Sequence, residues 1–352
     1  MSAPAALSSA ALTSVECETL FAPLGAFSHV LLAVSGGVDS TVLLYEVCAW
    51  AQEQITRREQ EGRAPLRISV ACVDHGLRAD SMAEALSVKS QAQVLGCAAE
   101  ILSWVGDKPA TRLQETAREK RYDLLSNHAR QIGAEAIVIA HHADDQAETI
   151  LMRMAAGSGP EGLGGMRPHS QRDGLSVLRP FLTVPKAVLY ATARHHGWHW
   201  HEDPSNLSER FERVRLRKID ALRASAGLTS KRLGRLAERL ARQQEAIDVM
   251  VGDCWSRLVK LEKTQILIKS EFWACPAEIR LRLLAKAIQY QCADAVLRLE
   301  RLETFEANLH RRQQAGQKGR RTLGGSMITL AGDGRLILTA EPARRSLRQK
   351  EG

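Results

Sequence analysis

No apolar run in this chain approaches the about 18 residues needed to cross a bilayer, so no membrane association is expected. The first sixteen residues are small and weakly apolar but carry no basic segment, which argues against a secretory leader. No two cysteines form a Cys-x-x-Cys pair. The seven present (Cys17, Cys48, Cys72, Cys97, Cys254, Cys275, Cys292) are scattered and odd in number. They read as reduced, mostly buried thiols of a cytoplasmic protein, with neither a zinc nor an iron–sulfur site. No internal repeat is visible, and nothing suggests a solenoid.

What is present is a folded chain of 352 residues, 45% hydrophobic and 25% charged, long enough for two or three domains. Its net charge of +8 is unevenly spread. Residues 1–206 carry 18 Lys plus Arg against 23 Asp plus Glu, whereas residues 207–352 carry 30 against 17. An acidic half followed by a strongly basic one points to a polyanion held by the second half.

The chain turns on Ser35, Gly36, Gly37, Val38, Asp39 and Ser40, which follow the apolar run Val30–Val34. That run has the length and branching of a buried strand, and Thr41-Val-Leu-Leu-Tyr45 begins a helical pattern. Two glycines at the junction allow a tight turn and a close ligand approach. The amides and dipole of the new helix then favour an anion, and Ser35 and Ser40 add hydroxyls. A Walker A loop is excluded, because the longer glycine spacing and the lysine are missing. The stretch resembles the shorter pyrophosphate loop (PP-loop) of ATP pyrophosphatases. Asp39 would repel a bare phosphate, which suggests a bridging magnesium ion.

Strand and helix patterns then alternate. A helix to about Gln54 and a polar linker from Thr56 to Pro65 precede a strand at Arg67–Val73. Helix toward Leu95, strand at Cys97–Trp104, helix over Arg112–Ile132 and strand at Ala136–Ala140 follow. The alternation implies an α/β fold with a doubly wound parallel sheet, its ligands outside the carboxyl ends of the strands. The polar clusters Ser35–Ser40, Asp74–Arg78 and His141–Glu148 all fall at those ends. Gly157–Gly165 is either a loop over the site or an ordinary connection. Leu178–Val184 reads as a short strand or extended arm, and a helix starts near Pro185. Basic helical pattern runs from Arg210 to about Gln314, and the tail reads as a hairpin, Thr322–Leu330 and Arg335–Thr339 around Ala331-Gly-Asp-Gly334.

Asp145 and Glu148 stand three apart at a helix start, so they share a face. With Asp39 they could hold magnesium on a phosphate; alternatively they only complement the helix dipole. Arg118 and Arg121 could clamp an anion, or could form a solvated face.

Taken together, the motifs resemble the tRNA(Ile)-lysidine synthetase family. The resemblance rests on Ser35-Gly-Gly-Val-Asp-Ser40, Val73-Asp-His-Gly-Leu-Arg78, Glu115-Thr-Ala-Arg-Glu-Lys-Arg-Tyr122 and Ala140-His-His-Ala-Asp-Asp-Gln-Ala-Glu-Thr149. It continues through Gly157–Met166, Leu178-Arg-Pro180, Glu202-Asp-Pro-Ser-Asn206 and Arg213-Val-Arg-Leu-Arg217. Val214 departs from the asparagine of many members, and an extra C-terminal domain of longer members is not expected here. The resemblance implies residues 1–217 as the catalytic domain, 218–315 as a basic helical tRNA-binding domain and 316–352 as a hairpin with a basic tail. It implies ATP and Mg2+, with free L-lysine and a tRNA(Ile) bearing a CAU anticodon as substrates, and a homodimer is a further expectation. The reaction implied is adenylation of the wobble cytidine at the C2 oxygen, then displacement of AMP by the lysine ε-amine. Ser35 to Ser40 would hold ATP; Asp39, Asp145 and Glu148 would position magnesium or the amine, with the division of those tasks open. His141 and Arg118 could contact nucleotide or developing charge, and Arg213, Arg215 and Arg217 could meet phosphate or the tRNA backbone.

Three rivals remain. A tRNA-thiolating enzyme would share the loop, but its cluster-dependent forms carry Cys-x-x-Cys pairs. A small-molecule amidating ligase such as NAD synthetase leaves the basic half unexplained. A non-catalytic tRNA-binding protein would not need Asp39, Asp145 and Glu148 together.

Overall fold

In the computed structural model, residues 10–76, 81–106, 108–109, 113–202 and 225–342 are described. They divide into two compact units, residues 1–156 with 164–238 and residues 157–163 with 239–352.

The first unit is built on His29–Ala33 (β1), every residue of which is buried. A strand buried on both sides needs apolar residues on both sides, and this one supplies them alternately. Val30 and Leu32 enter one core with Val42, Val47, Val88 and Leu189, while Leu31 and Ala33 enter another with Tyr122, Leu125 and Ala129. β1 pairs in parallel with Arg67–Asp74 (β2) and with Ala136–Ile139 (β4). Ala98–Ser103 (β3), Leu175–Leu178 (β6) and His169–Arg172 (β5) complete the order β3-β2-β1-β4-β6-β5, with only β5 antiparallel. Helices Ser14–Phe21 (α1), Val38–Glu53 (α2), Ser81–Val94 (α4) and Lys186–His195 (α8) contribute to the first core. Leu113–Ile132 (α5) covers the opposite face. The doubly wound sheet expected from the sequence is therefore present.

Local departures have local reasons. The expected linker at Thr56–Pro65 contains a helix, Ile55–Gln60 (α3), closed by Arg58. The buried Arg58 guanidinium donates to the carbonyls of Ala64, Gly25 and Phe27, so a charge forms the core of what reads as a polar link. Leu178–Val184 is not an arm. β6 ends at Leu178, and Pro180–Thr183 form a 3₁₀ turn that buries Phe181 and Leu182. The β5–β6 hairpin turns on Asp173-Gly174, both with positive φ (50° and 79°), a dipeptide whose turn preference was visible in the sequence. The glycine-rich run contains one helical turn, Pro160–Leu163 (α7). Ala143–Ala155 (α6) sets Ala147 and Ile150 against Leu233 and Ala237, at the start of Ser230–Leu258 (α9).

The second unit carries more strand than expected. The helical pattern extended to Gln314 is interrupted by Val259–Leu261 (β7) and Gln265–Ile268 (β8). These join Gly319–Leu323 (β9), Ser326–Leu330 (β10) and Leu336–Ala340 (β11) in an antiparallel sheet ordered β7-β8-β11-β10-β9. The expected strand Thr322–Leu330 is broken at Gly324-Gly325, which turn with φ of 58° and 75°; the Ala331–Gly334 turn is present. One face of the sheet (Ile266, Ile268, Ile328, Leu330, Leu336, Leu338) packs with Ala277–Gln291 (α10) and Leu299–Gln314 (α11). Between those helices Arg280 is buried, donating to Glu306 at 2.6 Å and to the Cys275 carbonyl at 2.7 Å.

Candidate active site

The three polar clusters stand at the carboxyl ends of β1, β2 and β4, adjacent strands in the order β2-β1-β4. At the first, Gly36 takes φ +86°, which only glycine adopts without strain. A Cβ there would lie 3.2 Å from Val88 Cγ2. Gly37 is the N-cap of α2 and brings no capping side chain. Ser40 is buried and ties the loop together: its Oγ accepts from the Ser35 N–H at 3.1 Å and donates to the Gly37 carbonyl at 2.9 Å. Ser35 is exposed, with its hydroxyl 3.2 Å from that of Ser40. Val38 is buried in the core, so only its main chain faces the loop. The His201 N–H donates to the Gly36 carbonyl at 2.9 Å, bringing the chain that leads to Glu202 onto the loop.

The second cluster holds Asp74 and His75. Asp74 accepts from the Gly76 N–H at 2.8 Å, and His75 meets Trp104 edge-on. Burial, then the nearby Arg121 guanidinium, lowers the His75 pKa.

The third cluster is the most elaborate. His142 caps α6 with a reciprocal box: the Asp145 N–H donates to His142 Nδ1 at 3.2 Å, and the His142 N–H donates to Asp145 Oδ2 at 3.1 Å. An acceptor at Nδ1 leaves the proton of the neutral ring on Nε2. Nε2 lies 3.5 Å from Asp145 Oδ2 and 3.6 Å from Asp39 Oδ2, so the ring stands between two carboxylates from different strand ends. Lys186 Nζ approaches the same Asp39 oxygen at 3.9 Å. Asp144 is a structural pin, accepting from the Lys186 N–H at 2.9 Å and the Ser230 hydroxyl at 2.6 Å. Glu148 is buried one turn beyond Asp145.

His141 lies beside this group. Its Nδ1 accepts from Arg179 Nε at 3.3 Å. Burial, opposed by Asp145 and reinforced by Arg118, Arg121 and Arg179, pushes its pKa down to about 3. His141 is thus neutral, a donor or acceptor rather than a cation. Arg118 sits over the Tyr122 ring at 5.5 Å and is exposed. Structure thus brings Asp39 and Asp145 together through His142 and places His141 electrostatically next to Arg118. His142, Lys186 and Arg179 escaped the sequence reading as site residues; only the paired histidines signalled the first. Arg78, Arg213, Arg215, Arg217 and Asp203–Asn206 lie outside the described residues.

Among the described residues no group of three or more His, Cys, Asp or Glu side chains forms a ready-made metal cage. The oxygens of Asp39 and Asp145 are the hard donors magnesium prefers, and such ions commonly take one or two carboxylates with the rest from phosphate and water. The donor chemistry therefore fits magnesium arriving with a nucleotide.

A glycine loop between a buried parallel strand and a helix, with carboxylates at the next strand end, defines a nucleotide-binding protein of the PP-loop class. Residues 12–220 match the PP-loop domain family. The chain is 46% identical to a tRNA(Ile)-lysidine synthase of Methylobacterium sp. (strain 4-46) over 328 residues, 91% of each chain. It is 38% identical to a tRNA(Ile)-lysidine synthase of Bradyrhizobium sp. (strain BTAi1 / ATCC BAA-1182) over 352 residues, 95% of this chain and 96% of that one. The chain belongs to the tRNA(Ile)-lysidine synthase family. The U34-tRNA thiolase NcsA from Methanococcus maripaludis shares the fold, with a TM-score of 0.51 at 17% identity over 64% of this chain and 78% of that one.

Proposed function

We propose that this protein is a carbon–nitrogen ligase that attaches L-lysine to C2 of the wobble cytidine in a tRNA(Ile) with a CAU anticodon, making lysidine and changing decoding from AUG to AUA. The observation that carries the reading is the convergence of Asp39 and Asp145 on His142 beside the glycine loop, in a chain of this family. In the first step the cytidine O2 attacks the α-phosphate of ATP and pyrophosphate departs. In the second the lysine ε-amine attacks C2, the C2–O bond breaks and AMP leaves.

The loop main chain and the Ser35 hydroxyl receive the phosphates, since helix N-termini and glycine-rich turns favour anions. Bound magnesium would neutralise phosphate charge, held by Asp39 with Asp145 or Glu148. A carboxylate not engaged in that role orients the attacking amine. His142 Nε2 stands between the two aspartates and sets their spacing. Neutral His141 and cationic Arg118 contact the nucleotide or the charge that builds on it. An anticodon loop is single-stranded, so its base can enter a pocket without opening a duplex.

The charge distribution supports a division of labour: residues 1–217 perform the chemistry, and residues 218–315 with the 316–352 tail grip tRNA. Arg213, Arg215 and Arg217 would meet its backbone. Action in the cytoplasm, where tRNA and ATP occur, and assembly as a homodimer belong to the same proposal; light scattering tests the latter. The thiolation alternative draws only on a shared fold.

The test is incubation with ATP, magnesium, labelled lysine and a CAU-anticodon tRNA(Ile) transcript. Lysine enters the tRNA with release of AMP, and Asp39→Ala abolishes both. No incorporation by a folded protein overturns the reading.

A further inference from the structure

Cys48 and Cys97 come from distant parts of the chain, one on the third turn of α2 and the other just before β3, yet their Sγ atoms lie 3.5 Å apart. Both line an open depression of about 340 Å³ with Ile55, Pro65, Leu66 and Leu95. Cys48 is half-buried and Cys97 buried, but a small oxidant in the depression has a path to the pair. Rigid elements hold them there: α2 packs in the first core and β3 is hydrogen-bonded to β2.

We propose that Cys48 and Cys97 form an oxidation site that closes to an intramolecular disulfide with hydrogen peroxide as the oxidant. The Cys97 thiolate attacks one peroxide oxygen, the O–O bond breaks and hydroxide departs, leaving a sulfenic acid on Cys97. The Cys48 sulfur then attacks the Cys97 sulfur, the S–O bond breaks, and the Cys48 proton joins the departing hydroxide as water. In sum two thiols and one peroxide give one disulfide and two waters, with two electrons passing from sulfur to oxygen.

The two sulfurs share one S–H···S contact in which either can be the donor. With Cys48 as the donor, the bond lowers the Cys97 pKa, while the same bond and burial raise that of Cys48. Thiolate is the nucleophile, so in that arrangement Cys97 attacks and Cys48 resolves. Cys17 and Cys72 are kept as thiols by burial, at about 12 and about 11. The site is separate from the chemistry proposed above, because ten residues of α2 place Cys48 roughly 15 Å along the helix from Val38.

The test treats the folded full-length protein with hydrogen peroxide, alkylates remaining thiols and digests with a Glu-specific protease. Cleavage after Glu46, Glu53, Glu84 and Glu100 isolates Cys48 in 47–53 and Cys97 in 85–100. The expected product is a crosslink of these two peptides, absent after dithiothreitol and absent when the chain is unfolded in urea at the same peroxide dose. In Cys48→Ser, with circular dichroism unchanged, Cys97 advances instead to the sulfinic acid, a gain of about 32 Da, because no thiol resolves the sulfenate. Recovery of both cysteines alkylated and unlinked from the oxidised wild-type chain, or crosslinks of either to other cysteines in its place, overturns the proposal.

Discussion

Asp145 and His142 each hold the other's main-chain N–H, and the same histidine turns its Nε2 toward Asp39 on the neighbouring strand end. A helix cap thereby becomes a positioning device. The residue that starts α6 also sets the spacing of the carboxylates proposed to serve ATP and lysine.

Replacing His142 separates the two duties. Asparagine is a good N-cap, so His142→Asn keeps thermal stability within about 1 kcal/mol of wild type. It removes the Nε2–H between Asp39 and Asp145. These contacts, at 3.6 and 3.5 Å, are ion-pair length and not hydrogen bonds; their loss is worth about 1 kcal/mol, so lysine incorporation should fall roughly fivefold. His142→Ala should lose the cap as well, lowering the melting temperature. Calorimetry and incorporation rates measured together check both, and equal stability loss in the two variants contradicts the division.

Gly36→Ala puts a Cβ at φ +86°, 3.2 Å from Val88. Left-handed strain costs roughly 1–2 kcal/mol, and relief shifts the loop main chain. The expected result is a modest stability loss with a much larger rise in the KM for ATP. Unchanged nucleotide binding contradicts a phosphate-holding loop.

His141 predicts a pH dependence with a definite sign. Its pKa falls from 6.5 to about 3 in the folded protein, so the unfolded chain binds the extra proton between those values. Stability is unaffected above about pH 6.5 and declines as pH drops from there toward 3. Carboxylates add a slope of the same sign, so the comparison is differential. His141→Gln should flatten the wild-type decline between pH 6.5 and 4.5 in urea unfolding; identical slopes refute the assignment.

Arg280 and Glu306 form a buried pair in the second unit, 2.6 Å apart. Glu306→Ala leaves the buried Arg280 guanidinium without its carboxylate, and removing one partner of such a pair costs about 3–5 kcal/mol. Arg280→Met with Glu306→Leu should cost much less, since neither charge is left alone. Denaturant titration distinguishes the two. A double variant as unstable as the single one would show that Arg280's bond to the Cys275 carbonyl dominates.

Much was legible in order along the chain. The run Val30–Val34, followed by two glycines and Asp39, declared a strand, a loop and a helix, because each rests on residues a few positions apart. The three strand-end clusters followed from alternation of strand and helix. Where the pattern misled, a long-range contact decided. Arg58 satisfies three carbonyls and turns a polar linker into α3. β8 exists because it pairs with β11, some 70 residues later, and β7 because it pairs with β8. The Asp173-Gly174 hairpin has a local signal, a dipeptide that favours positive φ.

The glycine loop, the carboxylates and the basic second half are properties of the sequence itself: their meaning depends on residue type and short spacing, and they point to a phosphate site and a polyanion. Only the tertiary structure decided that Ser40 ties the loop inward, that Asp144 pins α8 and α9, and that His142 and Lys186 share Asp39. Lys186 lies 147 positions from Asp39, and no periodicity in a chain reports which side chains a folded sheet edge brings within 4 Å.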